Sequence, residues 1–279
     1  MRFTKVHGLG NDFVLIDAMR APGRDYGKIA PVLCGRQTGV GADGLIVAEP
    51  SGCADIRMRI INADGGEAEM CGNGVRAFAK YAYERGLVRS PVFAVETLAG
   101  IVKPALVFDG ARVAAVRVDM GRPLFDSADI PVRGEGLCLN RTLSAAGREF
   151  VFSSARVGVP HTAVRVEDPL TFDLYTYGPA IERHPFFPQR TNVDFFRVID
   201  RGSIEMRTWE RGAGPTLACG TGSCATAVLC AKTGLTGRTV DVRLALGTLS
   251  IEWAADDTVY MTGPAELVFD GEFPDERLP

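Results

Sequence analysis

One stretch of this chain occurs twice, and that repetition limits what the chain can fold into more than any other property. Glu69-Met-Cys-Gly-Asn-Gly-Val-Arg76 runs on to Gly86-Leu87, and Leu217-Ala-Cys-Gly-Thr-Gly-Ser-Cys224 runs on to Gly234-Leu235. Cys71 and Cys219 lie 148 residues apart, and the same spacing joins Gly72 to Gly220, Gly74 to Gly222, Ala79 to Ala227 and Gly86 to Gly234. Each copy predicts a Cys-Gly-x-Gly turn feeding a helix that stops at glycine, the residue best suited to a left-handed C-cap. Val75, Phe78, Ala79 and Ala82 recur at helical spacing, so the first helix turns an apolar face into a core.

The echo continues on both sides of the repeated stretch. Residues 2–7 and 12–18 predict strands joined by the glycine-rich turn His7-Gly-Leu-Gly-Asn11, 26–35 a short helix, and 41–49 and 55–62 two more strands. Further strands are expected near 92–96, 100–108 and 112–119. In the second half, 155–161 and 162–167 mirror the opening strands at an offset of 150, which sets Gly8 against Gly158 and Asn11 against His161. Residues 193–200 mirror 42–49, and 204–207 mirror 56–59 at 148 once more. Element order is kept throughout, which points to an internal duplication with its seam near 119–150, where Pro, Gly and Ser break the pattern. The expected fold class is α+β: two pseudo-symmetric lobes, each a many-stranded sheet wrapped on one long helix, with the active site in a cleft between them.

Composition removes several classes of function. A net charge of −3 with interspersed signs suggests neither a nucleic-acid nor a membrane partner. The N-terminus enters a strand pattern directly, without an apolar signal segment, and no run of about 18 apolar residues suggests a membrane span. Seven scattered cysteines are an odd number, so cytoplasmic thiols are expected rather than a disulfide framework. Neither CxxC nor HExxH is present, so no metal site is expected.

A cysteine just before the first turn of a helix sits where unpaired backbone N–H groups converge. Such a place favours the thiolate, and the glycines behind it let the backbone approach a carboxylate. Two such sites, one per lobe, suit the inversion of a carbon that bears hydrogen next to a carboxylate. One thiolate removes the proton from one face while the opposite thiol supplies a proton to the other, and the helix ends stabilise the developing charge. The pair must hold one proton between them and titrates as a unit. A lone helix-start cysteine is most often packing, and a reversible dithiol is an alternative use of two. Duplication at matched positions favours the acid–base reading. Cys34, Cys53, Cys138, Cys224 and Cys230 have no matched partner and are assigned to structure.

Of the three histidines, His161, which follows Pro160 in a turn, is placed to polarise a cysteine or position the substrate; His7 and His184 read as strand-end and loop residues. Glu210-Arg211 precedes the second cysteine where Asn62-Ala63 precedes the first. A solvated surface pair is one reading of Glu210 and Arg211. In a site otherwise two-fold, however, that mismatch is where a substrate with unlike ends would be read, and an arginine there can clamp a second carboxylate.

The motifs His7-Gly-Leu-Gly-Asn-Asp-Phe13, Asn62-Ala-Asp-Gly65, Met70-Cys-Gly-Asn-Gly74, Glu210-Arg-Gly-Ala-Gly214 and Ala218-Cys-Gly-Thr-Gly222 stand in an order that resembles the diaminopimelate epimerase family over nearly the whole chain. The resemblance implies a cofactor-independent, pyridoxal-free epimerase. It would interconvert LL- and meso-2,6-diaminoheptanedioate in lysine and peptidoglycan-precursor synthesis. It implies barrel-like lobes around a central helix: residues 1–118, completed by a C-terminal strand at 264–279, and residues 119–263. A homodimer is a family-level expectation.

By position, the resemblance makes Cys71 and Cys219 the acid–base thiols. Asn11, Gly72, Asn73, Gly220 and Thr221 would hold the reacting end. Asn62, Asn192 and Arg211 would hold the distal amino-carboxylate. Glu210, which also belongs to the substrate-binding set, and His161 would tune the thiols. Two positions depart from the family pattern. Val159 stands where many members carry asparagine, and Gly44 where some carry glutamine. The missing hydrogen bond at Val159 is worth roughly 0.5–1.5 kcal/mol, which bears on the substrate and not on the reaction. The alternatives are an amino-acid racemase of the same fold, acting for example on histidine, and a non-catalytic redox or anion-binding module. Arg211, Asn62 and Asn192 favour diaminopimelate.

Overall fold

The computed structural model describes residues 1–19 and 23–279. They form two compact units, Met1–Val118 with Gly263–Pro279, and Asp119–Thr262.

The first unit runs β1 (Arg2–Gly8), β2 (Asn11–Asp17), α1 (Tyr26–Cys34), β3 (Gly44–Glu49), β4 (Ile56–Asn62), β5 (Glu67–Ala68), α2 (Gly72–Glu84), β6 (Val95–Thr97), β7 (Gly100–Val102), β8 (Ala105–Asp109) and β9 (Arg112–Asp119). The second runs β10 (Arg141–Ala145), β11 (Arg148–Val157), β12 (Val159–Arg165), α3 (Leu174–Glu182), β13 (Asn192–Asp200), β14 (Ser203–Glu210), β15 (Gly214–Thr216), α4 (Gly220–Lys232), β16 (Thr239–Leu244), β17 (Gly247–Trp253) and β18 (Val259–Gly263). The last strand, β19 (Glu266–Glu272), pairs antiparallel with β1, Arg2 opposite Glu272.

The two sheets are mixed and share one pairing scheme. In the first unit β1–β2 is antiparallel, β2–β3 parallel, β3–β4 antiparallel, β4–β6 parallel and β6–β7 antiparallel. In the second, β11–β12, β12–β13, β13–β14, β14–β16 and β16–β17 repeat that order of orientations. A parallel pair needs a crossover rather than a hairpin, and helices supply it. α1 crosses between β2 and β3, α2 between β4 and β6, and α3 and α4 take the same places in the second unit.

Both long helices begin after a cysteine in extended conformation, Cys71 at φ −140° and Cys219 at φ −120°. Gly86 and Gly234 end them at φ +73° and +77°, where a side chain would be strained. α2 is buried nearly all round. Phe78, fully buried, is worth about 1.5–3 kcal/mol by removal from water. Arg76 and Lys80 are buried on the same helix beside the predicted apolar face. α4 buries Cys224 and Cys230 among its small residues, as expected of structural cysteines.

Two details correct the sequence reading. The strand expected over 100–108 is two strands, because Pro104 has no N–H for the ladder and separates β7 from β8. The second correction concerns register. In the first sheet Phe13 stands opposite Gly44, and Gly44 opposite Asn62. In the second, His161 stands opposite Asn192, and the pairing of Val193 with Trp209 sets Asn192 beside Glu210. The offset is therefore 148 across these strands as well as the helices. His161 corresponds to Phe13, and Asn11 corresponds to Val159. The first hairpin turns through Leu9 and Gly10 between paired Gly8 and Asn11, the second through Gly158 alone between Val157 and Val159. Matching glycine to glycine across turns of unequal length shifted the alignment by two. Among the described residues no helix is long and apolar enough to cross a membrane.

Candidate active site

In the first unit the site residues gather where the β1–β2 hairpin meets the start of α2. Asn11 Oδ1 accepts from Cys71 Sγ at 3.5 Å and from Asn73 Nδ2 at 3.2 Å. The Asn11 amide is turned this way because its Nδ2 donates to Asp43 Oδ2 at 2.8 Å. Asp43 in turn takes a hydrogen bond from Arg36, which also reaches Asp12. Burial alone would raise the Asp12 carboxyl, but hydrogen bonds from Arg36 and Lys5 outweigh it and hold Asp12 below the usual carboxylate range. Asp43 was not foreseen as a positioning residue, since an isolated aspartate before a strand carries no sequence signal for it.

Arg76, one turn into α2, is fully buried. Its guanidinium donates to Gly72 O at 3.3 Å, Asn73 Oδ1 at 2.9 Å and Pro264 O at 3.3 Å. A Cβ on Gly8 would lie 3.1 Å from Arg76 Nη2 and from Asn73 O, so the hairpin's close approach to the helix start favours glycine there. Asn62 ends β4, exposed, with its backbone in a turn closed by Gly65 and Gly66. It lies two strands from Asn11, and Gly44 occupies the place between.

In the second unit one connected set of hydrogen bonds contains Cys219, Thr221, His161 and Asn192. Gly222 N donates to Cys219 Sγ at 3.4 Å, and Thr221 Oγ1 lies 3.5 Å from the sulfur. Thr221 Oγ1 is 2.9 Å from His161 Nε2, and His161 Nδ1 is 2.8 Å from Asp194 Oδ2. Asn192 Nδ2 donates to Pro160 O at 3.2 Å and lies 3.3 Å from His161 Nε2, while its Oδ1 accepts from Arg211 N at 2.7 Å. Asn192 thereby ties the Glu210–Arg211 corner to the histidine. Glu210, half-buried, accepts from Thr216 Oγ1 at 2.7 Å, and the exposed Arg211 donates to Gln189 O at 2.9 Å.

The thiols do not share one environment. Burial pushes the Cys219 thiol well above the ordinary range, and the carboxylates of Glu210 and Asp194 add to it against smaller opposing hydrogen bonds from Thr221 and Gly222. The sequence reading expected a helix start to lower a thiol. At Cys219 burial and the neighbouring carboxylates act against that lowering. Gly72 and Gly220 are the first residues of their helices, where backbone N–H groups lack intrahelical acceptors and suit a carboxylate.

Comparison with known proteins agrees with these motifs. A family model described as diaminopimelate epimerase matches residues 3–125 and 153–268. The diaminopimelate epimerase of Moorella thermoacetica is 52% identical over 278 residues, covering 98% of this chain and 99% of the relative. That of Desulfitobacterium hafniense is 50% identical over 282 residues, covering 100% of both. Among solved structures, a phenazine biosynthesis protein of the PhzF family from Bacillus anthracis superposes with a TM-score of 0.71 at 18% identity, over 98% of this chain and 99% of the other. A probable proline racemase from Agrobacterium radiobacter gives 0.69 at 18% identity, over 98% and 92%. At such identity these two show the fold alone, two mixed-sheet lobes with helices. The family match and the full-length relatives show more: this chain belongs to the diaminopimelate epimerase family and is an isomerase.

Proposed function

We propose that the chain interconverts LL- and meso-diaminopimelate by a two-base mechanism in which Cys71 and Cys219 exchange protons with opposite faces of one α-carbon. The observation that carries this reading is the pair of N-cap cysteines. They stand at the same register in two units with the same pairing scheme, each ahead of glycine amides that suit a carboxylate. In this reading the first amides of α2 and α4, with Asn11, Asn73 and Thr221, hold the reacting carboxylate and stabilise the charge that builds on it. Asn62, Asn192, Glu210 and Arg211 recognise the distal end, which explains why Asn62 and Glu210 differ at matched positions. The barrel-like wrapping of each sheet about its helix, and a cleft that holds the reacting carbon, belong to the same proposal.

The test is incubation in D₂O with LL-diaminopimelate and a panel of monocarboxylic amino acids, followed by NMR of the α-hydrogen. Exchange with inversion is expected for diaminopimelate alone. Exchange confined to a monocarboxylic amino acid would overturn the substrate assignment.

A further inference from the structure

The structure assigns a proton relay to Cys219, running through Thr221 and His161 to the buried carboxylate of Asp194, at positions that hold apolar residues in the first unit. The inference rests on the acid–base role proposed for Cys219 and deepens it.

His161 and Asp194 are completely buried, and Thr208 is 2% exposed. Asp194 spends one oxygen on His161 Nδ1 at 2.8 Å and takes Thr208 Oγ1 on the other at 2.7 Å. A carboxylate on Nδ1 requires a proton there, so the neutral imidazole carries its lone pair on Nε2. That lone pair faces the Thr221 hydroxyl at 2.9 Å, whose oxygen is 3.5 Å from Cys219 Sγ. The chain is continuous in both protonation states. With the thiol protonated, S–H points to Oγ1 and O–H to Nε2. When the S–H proton passes to Thr221 Oγ1 and the threonine's own proton passes to His161 Nε2, a thiolate and an imidazolium result. Asp194 keeps its charge and sits against the imidazolium. A fully buried carboxylate with both oxygens so used suits this charge-separated state, since an isolated buried imidazolium would be costly.

The constant offset identifies what the first unit has instead. His161, Asp194 and Thr208 correspond to Phe13, Ile46 and Ile60, all three buried. The glycine in each Cys-Gly-x-Gly turn follows the change. A Cβ on Gly222 would lie 2.6 Å from Asp194 Oδ1 and 3.1 Å from His161 Cε1. A Cβ on Gly74 would lie 3.3 Å from Ile60 Cδ1, 3.4 Å from Ile46 Cδ1 and 3.5 Å from Cys71 Cβ. Gly222 is therefore what allows the polar dyad to lie against the start of α4.

The ionisable groups around the relay come from four elements. They are His161 on β12, Asp194 on β13, Glu210 on β14 and Cys219 at the start of α4. On β11, Arg156 turns to the carbonyls of Gly158 and Asp129, and Ser154 bonds Thr162. Of these groups, His161 is the one placed to receive the Cys219 proton.

The test is the pH profile of kcat/KM for LL-diaminopimelate in Asp194→Asn, with folding checked by circular dichroism. An amide can donate to Nδ1 and so move the imidazole proton to Nε2, removing the acceptor. The expected result is a fall in kcat on the order of 10²-fold, with KM nearly unchanged and the acidic limb displaced to lower pH, because the carboxylate that raises the thiol and supports the imidazolium is gone. A limb at its wild-type position overturns the relay, whatever the loss of rate. Should Asp194→Asn fail to fold, Thr221→Val and Thr221→Ser decide. Loss in valine with recovery in serine supports the relay, and equal behaviour of the two overturns it. Cys219→Ala, assayed alongside, separates the two proposals. Turnover by that variant removes the acid–base role itself. An inactive Cys219→Ala beside an Asp194→Asn with wild-type profile removes only the relay.

Discussion

The two units place charge beside their cysteines from opposite sides. In the first unit the sheet contributes Asn11 to Cys71 and the apolar Phe13, Ile46 and Ile60 behind it, and α2 carries the buried cations Arg76, one turn in, and Lys80, farther along the helix. Near Cys219 the sheet contributes His161, Asp194 and Thr208, while the positions of the two cations are taken by Cys224 and Val228. One pairing scheme thus supports a cationic helix start in one unit and a carboxylate–imidazole pair in the other. A symmetric backbone provides two cysteines at matched helix starts, and the side chains behind them differ between the two units.

Replacing the buried cation attacks the first side of this comparison. Arg76→Met removes the donor from Gly72 O, Asn73 Oδ1 and Pro264 O. Losing these three charge-assisted hydrogen bonds inside the first unit is expected to cost about 3 kcal/mol of stability, read as a lowered denaturation midpoint. A loss below about 1 kcal/mol would show that the cation is not structural. The paired glycines compare the two sides directly. Gly222→Ala forces a methyl against Asp194 and His161 and is expected to cost about 2 kcal/mol. Gly74→Ala meets nothing nearer than the side-chain end of Ile60 at 3.3 Å and should cost about half as much. Equal costs would mean that the polar dyad does not set the demand for glycine. The smallest effect is expected where the first unit has Asn11 and the second has Val159. Val159→Asn should raise kcat/KM for diaminopimelate about two-fold, within the net worth of one hydrogen bond, and a loss would remove that position from substrate recognition.

Much of this arrangement could be read from the repeat. The helices from Gly72 and Gly220, their glycine stops and the cysteines ahead of them follow from the 148-residue spacing. The diaminopimelate substrate followed from the resemblance of the motifs in order. What escaped has definite physical causes. Turn lengths differ between hairpins that both contain glycine, so Asn11 was matched with His161 instead of Val159. Arg76 and Lys80 lie outside the apolar stripe that periodicity picks out, and they are buried with backbone carbonyls among their partners. Asp194 lies in a strand of buried residues, where a single aspartate is not distinguished by periodicity. Its signal was the constant offset itself, which pairs it with Ile46 once the register is correct. At the second thiol the direction is opposite to the one expected, because burial and the carboxylates of Glu210 and Asp194 push it up.

The central claim, that both repeated cysteines move protons, is tested most directly by Cys71→Ala and Cys219→Ala assayed for conversion of LL- to meso-diaminopimelate. The account predicts that each variant folds and loses turnover by about 10³-fold or more. Either variant epimerising at the wild-type rate would contradict it.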